Sequence, residues 1–351
     1  MKKRKQTRLI HVGQVPVGGG NPVSVQSMTK TDTHDIKATS AQIRALHKAG
    51  CQIIRIAVPD MDAAMALGPI TKSSPIPVIA DIHFDWRLAL EAHRQGVDGL
   101  RINPGNIGAS WKIKELVDAL KDRPVPVRVG VNAGSLDKKV LAKFGGPHPE
   151  ALVESALNQI EMLERLGFGL IKVSIKASSV PMTVEAYRSF SKKAPYPLHI
   201  GISEAGPAPA GIVKSAAGLG ILLSEGIGDT MRVSLTGPPC DEVRTAKQIL
   251  QSLELASGPE IISCPTCGRT SIAIRKLARE AEKRLAKSGK KLKVAVMGCP
   301  VNGPGEAREA DLGIAGSKGA GILFKKGKVL RTVPEDRLID ELMLEVESWK
   351  P

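Results

Sequence analysis

Eight short runs rich in Val, Ile and Leu, at residues 22–28, 53–58, 77–82, 99–102, 126–131, 170–175, 198–202 and 231–235, restrict the fold more than any other feature of the chain. Runs this short and continuously apolar read as strands buried on both faces. Amphipathic segments lie between them, such as 40–49, 86–95, 150–166 and 241–255, and several end in Gly just before the next strand, as helices do. Eight β/α units in about 250 residues are what a closed (β/α)8 barrel requires. An open doubly wound sheet is the alternative, but no strand carries a Gly-rich dinucleotide turn. Only 3% of the residues are aromatic, so the core must be built from Val, Ile, Leu and Ala.

After Ser257 the pattern breaks. Ser257, Gly258 and Pro259 form a short linker. A strand is expected at Ile261 and Ile262, a helix over 271–286, a strand over 292–297, a helix or turn, a hairpin near 321–331 and a final helix over 335–349. The fold class is therefore α/β: an N-terminal TIM-type barrel over residues 1–256, which carries the substrate site, and a smaller C-terminal α/β domain over 260–351.

The C-terminal domain holds the sharpest chemical signal. Ser263-Cys-Pro-Thr-Cys-Gly268 is followed at a distance by Gly298-Cys-Pro-Val-Asn-Gly-Pro-Gly-Glu306. Two cysteines on one turn and a third on a Gly-Pro loop make a convergent thiolate site, and Pro and Gly beside them free backbone N–H groups to approach sulfide. That suits an iron-sulfur cluster. A zinc ribbon normally takes a second Cys-x-x-Cys or two histidines, and no His follows His199. Cys264, Cys267 and Cys299 would leave one iron of a four-iron cluster to another ligand. Glu306 is the candidate because it closes the loop of Cys299; the alternative for it is a helix-cap carboxylate. Cys51 reads as a buried small hydrophobe, and Cys240, in a Gly-Pro-Pro loop, receives no role.

A second signal is the set of polar residues in or just beyond the barrel strands. Arg55, Arg101, Arg128, Lys172, Lys176 and Arg232 are accompanied by Asn103, Asn132 and Ser234, and by Asp81, His83, His199 and Glu204. Charges there are costly unless paired or used. In this fold the active site lies at the C-terminal strand ends, where many of these positions fall. Asp81 and Glu204 are too few to neutralise the cations, and the surplus points to a compact anion such as a diphosphate. Asp81, His83, His199 and Glu204 are candidates for proton delivery, although His199 alone reads more readily as a core histidine.

The formal charge of +15 predicts attraction to polyanions. No apolar run approaches the roughly 20 residues that cross a bilayer, and the basic start of the chain is followed by polar Gly- and Pro-rich sequence, not by the apolar core of a secretory signal. A cytoplasmic location without membrane partner is expected, where five cysteines suit metal or redox chemistry better than disulfides.

These residues bring the chain to a known family. It resembles, almost end to end, the GcpE/IspG family of bacterial 4-hydroxy-3-methylbut-2-enyl diphosphate synthases. The stretches that carry the resemblance are Val25-Gln-Ser-Met-Thr29, Ala80-Asp-Ile-His-Phe-Asp85, Leu100-Arg-Ile-Asn-Pro-Gly-Asn106, Gly130-Val-Asn-Ala-Gly-Ser135, Leu222-Leu-Ser-Glu-Gly-Ile-Gly-Asp-Thr230 and the two cysteine loops. The resemblance implies a [4Fe-4S] cluster held by Cys264, Cys267, Cys299 and Glu306. It implies reductive ring opening and dehydration of 2-C-methyl-D-erythritol 2,4-cyclodiphosphate in the methylerythritol phosphate route to isoprenoids, with electrons from reduced flavodoxin or ferredoxin. The short linker matches the compact bacterial form, and the resemblance implies a head-to-tail homodimer. One departure is the loop Gly206-Pro-Ala-Pro-Ala210 after Glu204. On this reading Arg55, Arg101, Arg128, Lys172 and Arg232 clamp the diphosphate, Glu306 is both ligand and catalytic residue, and Asp81, His83 or Glu204 supplies a proton. The rivals are an iron-sulfur protein that binds nucleic acid through its charge, without this catalysis, and a zinc-dependent barrel hydrolase.

Overall fold

The hairpin β1 (Ile10–Val12) and β2 (Val15–Val17), turning at Gly13 (φ +52), precedes the barrel. The structure is a computed structural model that describes residues 2–299, 307–317 and 319–349. The chain divides into two compact units, Met1–Leu255 and Ala256–Pro351.

In the first unit strands and helices alternate in the order β3 (Ser24–Met28), α1 (Ile36–Ala49), β4 (Ile53–Ala57), α2 (Met61–Ser73), β5 (Val78–Asp81), α3 (Trp86–Arg94), β6 (Gly99–Ile102), α4 (Pro104–Ile107), α5 (Ser110–Ala119) and β7 (Val127–Asn132). The second half continues with α6 (Lys138–Phe144), α7 (Pro149–Glu164), β8 (Ile171–Lys176), α8 (Val180–Lys193), β9 (His199–Ile200), α9 (Ala210–Ser224), β10 (Thr230–Met231) and α10 (Pro239–Ser252). Local chemistry starts and stops these helices. The Asp35 and Asp60 carboxylates accept the N–H of Ala38 and Ala63 at 2.8 and 2.9 Å, and Gly50 ends α1 in the left-handed region.

From β3 to β8 each strand pairs in parallel with the next in sequence, β9 pairs with β10, and β10 returns beside β3. The seam between β8 and β9 closes through the bridge of Val173 to Leu198, with the Val173 N–H donating to Pro197 O at 2.9 Å. The barrel is therefore closed, as its eight units require. At this seam the buried Tyr187 hydroxyl donates to His199 O at 2.6 Å and accepts from the Ile175 N–H at 3.0 Å, tying the two-residue β9 to β8. Ile10, Val12 and Val17 of the hairpin pack against Ile53 and Ile79, near the strands' N-terminal ends, and give that end of the barrel an apolar plug. The polar site is thus left to the opposite end.

Sequence pattern missed the hairpin, and it marks α2 and α9 only through the expected alternation of strands and helices. Helix α2 contains Pro69, and α9 is rich in glycine, which periodicity reads as breakers. In α9 two of the glycines serve close packing: a Cβ on Gly218 would stand 2.5 Å from Ile202 Cδ1, and one on Gly211 2.4 Å from Gly206 O.

The second unit runs β11 (Glu260–Ser263), α11 (Ile274–Ser288), β12 (Lys293–Met297), β13 (Leu312–Ser317), β14 (Ala320–Lys325), β15 (Lys328–Pro334) and α12 (Leu338–Ser348). Its sheet has these five strands in sequence order; β11, β12 and β13 are parallel, and β14 and β15 add antiparallel. Leu285 of α11 and Leu342 and Val346 of α12 pack with Val294, Val296, Ile314 and Leu323 of the sheet. Ala295, Met297, Ala315 and Phe324 form a separate cluster with Ala307 and Ala310. The hairpin near 321–331 is β14 and β15, whereas β13, whose Leu-Gly-Ile-Ala-Gly sequence is poor in strand formers, was not foreseen. The final helix begins at Leu338, after a 3-10 turn over Glu335–Arg337. Among the described residues no helix is long and apolar enough to cross a membrane.

Candidate functional site

Strand register decides which polar residues meet. Arg101, Arg128 and Lys172 are partners across β6, β7 and β8, and Asn132 pairs with Lys176 four residues further along β7 and β8. Partners in register point to one face of the sheet, here the barrel interior. A cavity of about 700 Å³ opens at the C-terminal strand ends. Arg55, Asp81, His83, Arg101, Asn103, Arg128, Asn132, Lys176, Glu204, Arg232 and Ser234 all line it. Lys172 does not: it lies at the deeper level, 1% exposed, so its expected place in the clamp is corrected.

Asp81 organises one side of the cavity. Its Oδ1 accepts from Arg101 Nη1 at 3.0 Å, while Oδ2 lies 3.4 Å from Arg55 Nε and 3.6 Å from His83 Nε2. Burial pulls its carboxyl upward, but Arg55, His83 and Arg101 outweigh that and hold it well below the usual carboxylate range. Asp81 is therefore a fixed negative charge near neutral pH. It orients the two guanidinium groups and has no proton to give, which removes it from the candidates for proton delivery. His83, half exposed at the rim, reaches Arg101 Nη1 at 2.9 Å.

The other side contains two residues that sequence reasoning passed over. Glu242, in the first turn of α10 and 2% exposed, sits 2.9 Å from Lys30 Nζ and 3.6 Å from Arg232 Nη2, and accepts the Leu235 N–H at 3.0 Å. Lys30 also donates to Leu235 O and Gly237 O at 2.8 and 2.6 Å. Lys30 lies just past the end of β3, and a carboxylate in a helix's first turn reads as an ordinary dipole partner, which is why Glu242 escaped notice. Glu204 is exposed at the rim on left-handed backbone (φ +52), a conformation that costs a non-glycine residue about 1–3 kcal/mol.

Three carboxylates, Asp81, Glu204 and Glu242, still face more cations than they can neutralise. Arg128, 2% exposed, has no hydrogen-bond partner at Nε or Nη1, and Arg232 has none at Nε. Burial and neighbouring guanidinium groups push Arg128 and Lys176 well below their ordinary values and take Arg55 down to about 10. Such mutual repulsion among desolvated cations is relieved by an anion with several oxygens.

Glycines make room for these side chains. A Cβ on Gly130 would stand 2.6 Å from Arg101 Nε, and one on Gly201 2.7 Å from Lys176 Nζ. Gly130→Ala should push Arg101 off Asp81 and weaken binding of inorganic diphosphate by about tenfold or more, the value of a charged hydrogen bond. Titration calorimetry on the two proteins measures it; unchanged affinity would show that Arg101 does not hold the anion.

Beneath the cavity, Lys172 Nζ, His199 Nε2 and both amide atoms of Gln26 are buried without partners. His199 meets the Thr230 hydroxyl through Nδ1 and is held neutral by burial, in keeping with a core histidine. Burial, then Arg128, pulls the Lys172 ammonium down to about 7 from its ordinary 10.5. Between those values the unfolded chain binds the extra proton, so this group makes stability rise with pH. Lys172→Met removes the penalty and should raise the melting temperature more at pH 7 than at pH 9. An equal gain at both would sink this account of Lys172.

The second unit brings its cysteines to adjacent loops. Cys264 follows β11 and Cys299 follows β12, its parallel neighbour. The Gly298 N–H donates to Cys264 Sγ at 3.3 Å and Gly298 O accepts from the Ser271 N–H at 3.0 Å, which stitches the two loops together. Cys267 is exposed, and hydrogen bonds from Arg269 lower its thiol. Among the described residues no three His, Cys, Asp or Glu stand close enough to hold an ion, and Glu306 lies outside the described residues. The donor chemistry nevertheless fits an iron-sulfur group: three thiols on two joined loops, one sulfur already accepting a backbone N–H. Burial lifts the Cys51 thiol to about 12, as suits an inert core residue.

The sequence matches the GcpE TIM-barrel domain over residues 7–247 and the GcpE protein C-terminal domain over residues 260–348. It is 60% identical over 99% of its length, and 100% of the relative's, to the 4-hydroxy-3-methylbut-2-en-1-yl diphosphate synthase (flavodoxin) of Thermodesulfovibrio yellowstonii. It is 59% identical over 98% of both chains to the protein of the same name from Geobacter sulfurreducens. Among solved structures, the dihydropteroate synthase of Yersinia pestis matches with a TM-score of 0.51 at 10% identity, covering 70% of this chain and 97% of that one. The 3-dehydroquinate dehydratase of Geobacillus kaustophilus matches with a TM-score of 0.50 at 16% identity, covering 70% and 97%. These last two likenesses concern the barrel fold alone.

Proposed function

The chain belongs to the GcpE family, and from that premise we propose that it converts 2-C-methyl-D-erythritol 2,4-cyclodiphosphate to 4-hydroxy-3-methylbut-2-enyl diphosphate by reductive ring opening and loss of water, with reduced flavodoxin or ferredoxin as donor. The observation that carries the reading is the cavity whose buried cations outnumber its carboxylates, with Arg128 unpartnered at two nitrogens. The relatives named as flavodoxin-dependent synthases support it over their whole length. The nucleic-acid reading is not favoured, because the strand cations line a barrel cavity and not an outer face.

In the mechanism Arg55 and Arg101, aligned by Asp81, hold one side of the diphosphate, while Arg128, Lys176 and Arg232 take the remaining oxygens. As the ring opens, negative charge grows on the leaving phosphate oxygen, and these preplaced cations stabilise it without reorganising. Asn103, Asn132 and Ser234 offer neutral donors to the same ligand. With Asp81 held ionised, proton delivery falls to His83 or Glu204 at the rim. Cys264, Cys267, Cys299 and Glu306 would hold a [4Fe-4S] cluster, which when bound supplies electrons one at a time and a Lewis-acidic iron. A homodimer is proposed on the family resemblance alone, and a cytoplasmic location on the reduced thiols that such a cluster needs.

The test is purification without oxygen, iron and sulfide analysis, and turnover of the cyclic diphosphate with dithionite. A brown protein with about four irons per chain that forms the linear product supports the whole reading. A zinc protein would overturn the cluster, and a brown protein inert to this substrate would overturn the reaction.

A further inference from the structure

Helix α11 carries a five-cation basic face that begins beside the turn of Cys267. At 100° per residue Arg275, Lys276, Arg279, Lys283 and Lys287 fall within one arc of about 120°, all exposed, while Ile274, Ala281 and Leu285 turn to the core. On several other helices carboxylates hold the cations, whereas, among the described residues, Lys37, Arg44 and Lys48 of α1 form a smaller unpaired group. Lys114 and Lys121 share Asp118, Arg165 meets Glu161, and Arg331 is held by Glu341 and Glu345. In α11 itself Glu280 hydrogen-bonds Arg284, which also binds Asp340, and lies with Arg275, Lys276, Arg279 and Lys283 along one groove; exposed Glu282 borders the arc, so two carboxylates stand beside five cations and the net charge stays positive. Among the described residues, none of the five arc cations makes an ion pair.

The arc also has a location. A surface groove lined by Thr266, Thr270, Ile272 and the first residues of α11 through Lys276 joins it to the turn of Cys267. Cys267 is exposed there, its N–H donating to Thr270 Oγ1 at 3.2 Å. An electron donor has to approach the thiolate turn closely, and the arc is the charged surface beside it.

Resting on the function proposed above, we infer that this arc of α11 is the docking surface for the protein electron donor, a small flavoprotein whose surface around the flavin is acidic. Opposite charge steers such a partner at high rate and lets it leave again, as two visits per turnover demand. Each visit oxidises the donor by one electron and passes that electron to the enzyme, so two visits supply the pair used in ring opening. Interfaces of this kind are small and polar, and need no apolar patch. Single-stranded nucleic acid is the less fitting occupant, since no aromatic residue lies between Arg269 and Lys293 to stack a base.

The test uses the full-length, cluster-loaded protein with Arg279→Glu and Lys283→Glu combined, beside Arg279→Lys with Lys283→Arg. The charge reversal should raise KM for reduced flavodoxin about tenfold or more and weaken binding of oxidised flavodoxin, most at low salt, while dithionite-driven turnover is unchanged. The charge-conserving pair should behave as wild type. Unaltered flavodoxin kinetics and binding would overturn the assignment, as would an equal loss with both reductants, which marks a structural effect. Tighter binding of a single-stranded RNA than of flavodoxin, abolished by the reversal, would give the arc to nucleic acid and also overturn it. Wild-type protein inert with dithionite would count against the proposed reaction, and the binding measurement with oxidised flavodoxin would still decide the docking.

Discussion

Arg128→Met is expected to lower kcat/KM for the cyclic diphosphate by a factor on the order of a hundred to a thousand, and to raise the melting temperature at the same time. The first effect follows from a guanidinium that is 2% exposed, unpartnered at Nε and Nη1, and aimed into the cavity. Donors preplaced for developing charge are worth about 2.7–4 kcal/mol in the transition state. The second effect follows from the same facts: a desolvated cation among Arg55, Arg101 and Arg232 is a cost in the free protein, and methionine keeps its length without its charge. Steady-state kinetics and thermal melts on the same preparation check both. A variant that loses activity and stability together would show that Arg128 holds the barrel and not the substrate.

Cys264→Ser should empty the second unit of iron and sulfide and reduce turnover to background with either reductant. The Cys264 sulfur already accepts the Gly298 N–H, and its loop is joined to that of Cys299 through Ser271. An alkoxide is a harder and more basic ligand than a thiolate, and the soft cluster site favours sulfur. Iron and sulfide analysis reads the result directly. Full iron content in the serine variant would remove Cys264 from the ligand set, whereas loss of iron with an unchanged melting profile for the barrel would place the damage at the cluster alone.

The parts of the molecule that were legible before the structure share a physical origin. Buried parallel strands are apolar along their whole length, so β3 to β8 announce themselves as continuous runs. Strands β9 and β10 were also found, but each is only two residues long, shorter than the runs expected at 198–202 and 231–235. That Cys264 and Cys299 fall on adjacent loops was legible, because each follows a recognisable strand and sits beside Gly and Pro. The internal pattern of helix α9 is weaker, since Gly211 and Gly218 serve close packing that no local pattern records.

Alternation along a strand says only that two side chains share a face, and it marked Arg101, Arg128, Lys176 and Arg232 as charged residues in buried strands. How deep each one lies depends on the stagger of eight strands closed into a ring, a property of the whole barrel. That stagger places Lys172 beneath the cavity and Lys176 in it, four residues apart on one strand. It sets Asp81 against Arg55 and Arg101, so that a candidate acid becomes a permanent counter-ion. It also brings Glu242, from a helix, onto Lys30 and Arg232. Composition and local spacing therefore carry the kinds of group present, a surplus of buried cations and a set of paired-loop cysteines, because those depend on residue type. The roles of individual charges waited on tertiary structure, because electrostatic interaction depends on distance and burial, which closure of the barrel alone supplies.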